Sequence, residues 1–151
     1  MNIKNTAQNL ATLYDADFAK WIDKTVQLLK ERQFAELDLE NLIEEVESLV
    51  RSDKREIRSR LIKLLSHLLK YAYQPENRST SWISTIVEQR RQIILILEDS
   101  PSLRNYLSEN YAGCYVKAMK EAADETGLAI ATFPEQCPFA EADVLTESWL
   151  P

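Results

Sequence analysis

The stretch ELDLENLIEEVESLVRSDKREIRSRLIKLLSHLLKYAYQP, residues 36–75, decides the fold class. Leu39, Leu42, Ile43, Val46, Leu49 and Val50 form one apolar stripe, and Ile57, Leu61, Leu64, Leu65, Leu68 and Ala72 form a second. Apolar residues recurring every three to four positions mark an amphipathic helix. No Pro or Gly interrupts the pattern before Pro75, which lacks an N–H and drives Gln74 away from helical backbone angles. A single helix from Asp38 to Tyr73 would be about 54 Å long, whereas a compact domain of this length has a radius of gyration of about 15 Å. The sequence therefore predicts a break or bend at Ser52–Asp53, where Asp53 and Glu56 have capping-box spacing.

Helical signals continue on both sides. Asp15 or Asp17 suits a helix start, and Phe18, Trp21, Ile22, Val26 and Leu29 follow at helical spacing to about Arg32. After Pro75, the run NRSTSW can cap a helix from about Ser79 to Glu98. DSPSL restarts the chain, with Ser100 as N-cap and Pro101 in the first helical position. That helix turns Leu103, Leu107, Tyr111, Cys114, Ala118 and Ala122 inward and ends near Gly127. The Pro-broken tail reads as a wrap around the bundle, with one short helix near residues 141–147.

Two glycines and five prolines in 151 residues are too few for the turns of a sandwich or barrel. The expectation is an all-α bundle of four to six helices: a single domain over 1–151, with an N-terminal arm at 1–13 and a wrapping tail at 128–151. No apolar run approaches a membrane span, and the N-terminal residues lack a signal peptide's apolar region, so a soluble, cytoplasmic protein with no membrane partner is expected. Cys114 and Cys137 make neither a disulfide framework nor a zinc site. No metal and no cofactor is expected.

The net charge of −6 is unevenly spread. Residues 1–50 carry five basic and ten acidic side chains, residues 51–70 seven and two, and residues 98–151 three and ten. The basic middle segment either pairs with its acidic flanks or offers a surface to phosphate or an acidic partner. Nucleic acid is a poor fit to an acidic chain.

Arg90 stands at the centre of an apolar arc made by Trp82, Ile83, Ile86, Val87, Ile93, Ile94 and Leu97. A guanidinium facing a core needs a counter-charge, so Arg90 is expected to be buried and paired with Glu44, Glu45 or Glu47. The alternative is an arginine lining an anion pocket. A second candidate lies at the corner of residues 67–90. The helix start at Ser79 presents unpaired N–H groups, Ser79 and Ser81 add hydroxyls, and Lys70, Arg78 and His67 add positive or protonatable groups. A third is the spacing Arg60-x6-His67, which resembles the Arg–His motif of the HEPN superfamily. That likeness implies an enzyme acting on a phosphate-bearing substrate, such as a metal-independent ribonuclease with His67 in acid–base work and Arg60 beside it. Leu61 stands where that motif usually has a polar residue.

The words LYDADFAKW, ELDLENLIEEVESL, SHLLKYAYQPENRSTSW, EQRRQI, LEDSPSLRNYL and ETGL…FPEQCPF together resemble, in order, domain of unknown function 29, from about Leu13 to Pro151. The resemblance implies a bacterial, largely cyanobacterial, all-helical soluble domain and assigns no activity. The family's recurring words fall on Asp38, Glu44, Glu47, His67, Lys70, Gln74, Arg78, Ser81, Trp82, Gln89, Arg90, Pro101 and Ser102. Taken together, the sequence is read as a binding or interaction module for an unknown protein or an anionic small molecule, with a homodimer as one arrangement. The enzyme reading stands as the alternative.

Overall fold

The computed structural model describes residues 3–151, with side chains described from Thr6 onward. The described residues form six α-helices and no strand. These are α1 (Ile3–Ala16), α2 (Phe18–Lys30), α3 (Leu39–Tyr73), α4 (Thr80–Asp99), α5 (Leu103–Thr126) and α6 (Glu141–Val144). Single 3-10 turns lie at Phe34–Glu36, Pro75–Asn77 and Ile130–Thr132. The fold is all-α, as the periodicity requires. The chain divides into two compact units, residues 1–51 and residues 52–151.

The first unit holds α1, α2 and the opening turns of α3. Residues 3–13, expected as an arm, are helical, and residues 1 and 2 lie outside the described range. Asp17 caps α2 as expected, its Oδ1 accepting the N–H of Lys20 at 3.1 Å. At the other end Arg32 takes a left-handed φ of 58°. The N–H groups of Arg32 and Gln33 then reach back to Leu29 and Leu28, satisfying the last carbonyls of α2 where a Gly usually makes that turn. The interior of this unit is small. Trp21 is fully buried beside Tyr14, ring centroids 5.0 Å apart, and its indole N–H donates to Asp38 Oδ2 at 3.2 Å. Asp38 also accepts from Asn41 Nδ2 at 2.7 Å, so the buried carboxylate has two donors.

The expected break at Ser52–Asp53 does not occur: α3 runs unbroken for 35 residues. Nothing between Leu39 and Tyr73 removes a backbone donor, and Asp in a helix interior costs well under 1 kcal/mol. A radius of gyration limits the length of a helix only where the whole helix lies in one compact body. Here the boundary between the two units falls between Arg51 and Ser52, at the point where the break was expected.

The second unit carries one continuous core. Ile57, Leu61, Leu64, Leu65, Leu68 and Leu69 of α3, Ile86, Ile93 and Leu97 of α4, and Leu103, Leu107, Cys114, Tyr115, Ala118 and Ala122 of α5 are all buried in it. Tyr111, expected inward, is half-buried, and Tyr115 takes the interior place. Ser79 caps α4 through its hydroxyl, which accepts the Trp82 N–H at 3.3 Å. The start of α5 is later than expected. Ser102, not Ser100, is the cap, because the N–H groups of Leu103 and Arg104 close back onto Ser100 and Pro101 as a turn first. Gly127 ends α5 with φ 72°, a conformation that costs a side chain. In the tail Phe133, Phe139 and Val144 enter the core, and the Tyr111 and Tyr115 hydroxyls donate to the carbonyls of Phe139 and Pro134.

Candidate functional site

Arg90 is 1% exposed, as its place on the α4 arc requires, but its partners are not those expected. Its Nε, Nη1 and Nη2 donate to the carbonyl oxygens of Val144, Glu147 and Trp149, at 2.7, 2.7 and 2.9 Å. Burial pushes the guanidinium's pKa down and the nearby Glu147 carboxylate opposes this. The expected pairing with Glu44, Glu45 or Glu47 is thus corrected. Glu44 and Glu47 lie against Arg51, at 2.5 and 3.7 Å, and Glu45 accepts the Tyr14 hydroxyl at 2.5 Å. That bond to a carboxylate pushes the Tyr14 pKa up to about 12. Hydropathy gave the sequence no way to rank an open carbonyl above a carboxylate. Val144 ends α6 and the residues after it do not continue the helix, so the Val144, Glu147 and Trp149 carbonyls are left for the planar guanidinium and its five donors.

The corner of residues 67–90 brings together part of what was expected. Lys70 is buried, 7% exposed at its side chain, and its ammonium lies 2.5 Å from Glu125 Oε2 on α5. The same ammonium is 3.5 Å from His67 Nε2 and 5.3 Å from the centre of the Trp82 ring. His67 Nδ1 lies 2.9 Å from the Lys63 carbonyl, which can only accept, so Nδ1 carries the proton and Nε2 offers its lone pair to Lys70. Burial, above all, lowers the His67 pKa; the Lys63 carbonyl bond opposes this and the Lys70 charge adds to it. Glu125 was missed from sequence, where an acidic residue near a helix end carries no signal of its partner.

The other cations of the corner have separate partners. Arg78 donates from Nε to the Tyr71 carbonyl at 2.8 Å and lies over the Tyr71 ring at 4.2 Å. Ser79 is occupied as the cap, while Ser81 is exposed. The anion site expected from Lys70, Arg78, Ser79, Ser81 and Arg90 is therefore not assembled as one set: Lys70 and Arg90 are buried on internal acceptors. Arg60 is likewise committed, donating from Nε to Glu56 at 2.7 Å and from Nη1 to Gln89 Oε1 at 3.2 Å. Arg60 lines a cleft with Ser52, Arg55, Glu56, Ser59, Lys63 and Gln89, and His67 is not among its lining residues. The Arg–His spacing thus does not deliver both side chains to one cleft.

Among the described residues no three His, Cys, Asp or Glu side chains are grouped to hold a metal ion, and no helix is long and apolar enough to cross a membrane. Fold and side chains define an all-helical protein in which a buried arginine anchors a short C-terminal segment. The chain belongs to the family described as domain of unknown function DUF29, whose model matches residues 13–150. No curated protein and no solved structure matches it.

Proposed function

We propose that this chain is a cytoplasmic binding module that takes up a partner protein on the apolar face of its first unit. One observation carries the reading: Ile43, Val46 and Leu49 of α3 are 55, 58 and 67% exposed, with Leu39 and Val50 also open to solvent. On α2, Phe18, Ile22, Val26 and Leu29 form a second exposed stripe. Single exposed apolar residues are ordinary on any protein, but a whole helical stripe of large ones is not. Each such side chain gains about 1.5–3 kcal/mol when fully covered.

Charge selects the partner. Beside the α3 stripe stand Glu40, Glu44 and Glu47, and residues 1–50 hold ten acidic against five basic side chains. The chemistry that fits is an amphipathic helix with an apolar face and basic flanks. Fluorescence anisotropy with a labelled helical peptide of Leu and Lys tests this, against a Leu and Glu peptide of the same spacing. The basic peptide should bind, more weakly at high salt, and Val46→Asp with Leu49→Asp should abolish binding while leaving the circular dichroism spectrum unchanged. Equal binding of both peptides, or of neither, overturns the reading. A dimer in sedimentation equilibrium that the same double variant converts to monomer would replace the foreign partner with a second copy.

A further inference from the structure

A different surface, within the second unit, carries groups that the fold leaves unspent. Ser52, Arg55, Glu56, Ser59, Arg60 and Lys63 follow one another along α3 at alternating steps of three and one residues, which places them on one helix face. With Gln89 of α4 they line an open cleft of about 460 Å³. From these residues we infer that this cleft is a binding site for the phosphoryl group of a small phosphate-bearing molecule.

The cleft's donors are matched to an oxyanion. Arg60 is only 27% exposed at its side chain and is held in place from two sides, by Glu56 and by Gln89. Those two bonds use Nε and one N–H of Nη1, so the two N–H groups of Nη2 and the second N–H of Nη1 remain as donors for an oxyanion. Because Gln89 accepts through Oε1, its amide nitrogen remains a donor. Among the described residues the Arg55 and Lys63 side chains have no hydrogen bond or ion pair, and neither do the Ser52 and Ser59 hydroxyls. Three cations against the one carboxylate of Glu56 give the cleft an excess of two positive charges in an otherwise acidic protein. Among the lining residues the Glu56 carboxylate is the one repulsive group, and Glu88 beside them also feels the Arg60 charge. Glu56 orients Arg60 at the expense of anion affinity, so its two roles are separable. The volume falls within the range of small-molecule sites, enough for a phosphoryl group and the fragment that bears it.

The test is a titration of inorganic phosphate, glycerol phosphate and adenosine 5′-phosphate, each at constant ionic strength, followed by amide and side-chain NMR shifts. Saturable shifts at residues 52–63 and at the Gln89 side chain are expected. Arg55→Ala with Lys63→Ala, both on the surface and outside the core, should weaken the affinity at least tenfold, about 1.4 kcal/mol. Glu56→Gln, which keeps an acceptor for Arg60, should tighten it. A larger affinity for one of the organic phosphates than for inorganic phosphate identifies the fragment that the cleft accepts. Absence of saturable shifts at millimolar ligand overturns the inference, as does an affinity indifferent to the double variant or to Glu56→Gln.

Discussion

His67 is the one side chain of this protein whose ordinary pKa lies near neutrality, and its environment biases it toward the neutral form. The lone pair of Nε2 faces the Lys70 ammonium, and a proton there would be both poorly solvated and repelled. Lys63 and Lys70 on its own helix and Glu125 on α5 are the charged groups that act on it. The folded state therefore binds a proton at His67 less readily than the unfolded state does. The resulting stabilisation is complete above the unfolded pKa, near 6.5, and is lost as pH falls through the lower folded value. His67→Gln should flatten the fall of the urea midpoint between neutral and mildly acid pH. A wild-type slope retained in the variant would assign that fall to the carboxylates. Spacing on the sequence located this histidine beside Lys70, but the acceptor at Lys63 and the counter-charge from Glu125 depend on side-chain direction and on α5. Neither is encoded in the local pattern.

Helices and tail are joined at the element scale by Arg90. Its three bonds to Val144, Glu147 and Trp149 satisfy carbonyls that no helix uses, and they fix the last eight residues against α4. Arg90→Met keeps the apolar stem and removes every donor, leaving these carbonyls to find water or remain unpaired. A loss of about 3 kcal/mol or more in urea unfolding is expected, since hydrogen bonds to charged groups contribute about 1.5–3 kcal/mol each. Amide exchange should rise from Ala142 to Leu150 before the core of α3 and α5 is affected. Arg90→Lys, a point charge without the fork, should recover only part of the loss. The sequence placed Arg90 on the buried face correctly because helical periodicity determines direction. It assigned the wrong acceptors because a tail of irregular backbone has no period from which its open carbonyls can be read. Helix α3 teaches the same lesson in reverse. Its capping-like residues at Asp53 and Glu56 lie within an unbroken helix, since a possible cap acts only where neighbouring backbone leaves the helix.

The two units of the molecule differ in how much apolar surface they bury. In residues 52–151 the core takes in three long helices and the tail. In residues 1–51 the buried apolar side chains among those described are Leu10, Trp21 and Leu37, while Ile43, Val46 and Leu49 lie open. Opening free energies follow buried contact, so amide exchange should be faster in α1 and α2 than at the core positions of α4 and α5. The peptide partner proposed above should slow exchange in the first unit and leave the second unchanged. Equal protection across α2 and α5 in the free protein would contradict this account.

By itself the sequence determined that the chain is helical, where α2 and α4 begin, which face of α4 and α5 turns inward, and which family the chain belongs to. These are consequences of local physics: side-chain period, capping chemistry and the missing donor of proline act over a few residues. Only the tertiary structure decided that the apolar stripe of Ile43, Val46 and Leu49 is uncovered, and that Lys70 belongs to Glu125 and Arg90 to the tail. It also decided that Arg55, Arg60 and Lys63 share a cleft with Gln89. A period states which side of a helix is apolar or basic. What lies against that side depends on residues far along the chain, and partner choice is settled by which backbone and side-chain groups remain unsatisfied once the helices have packed.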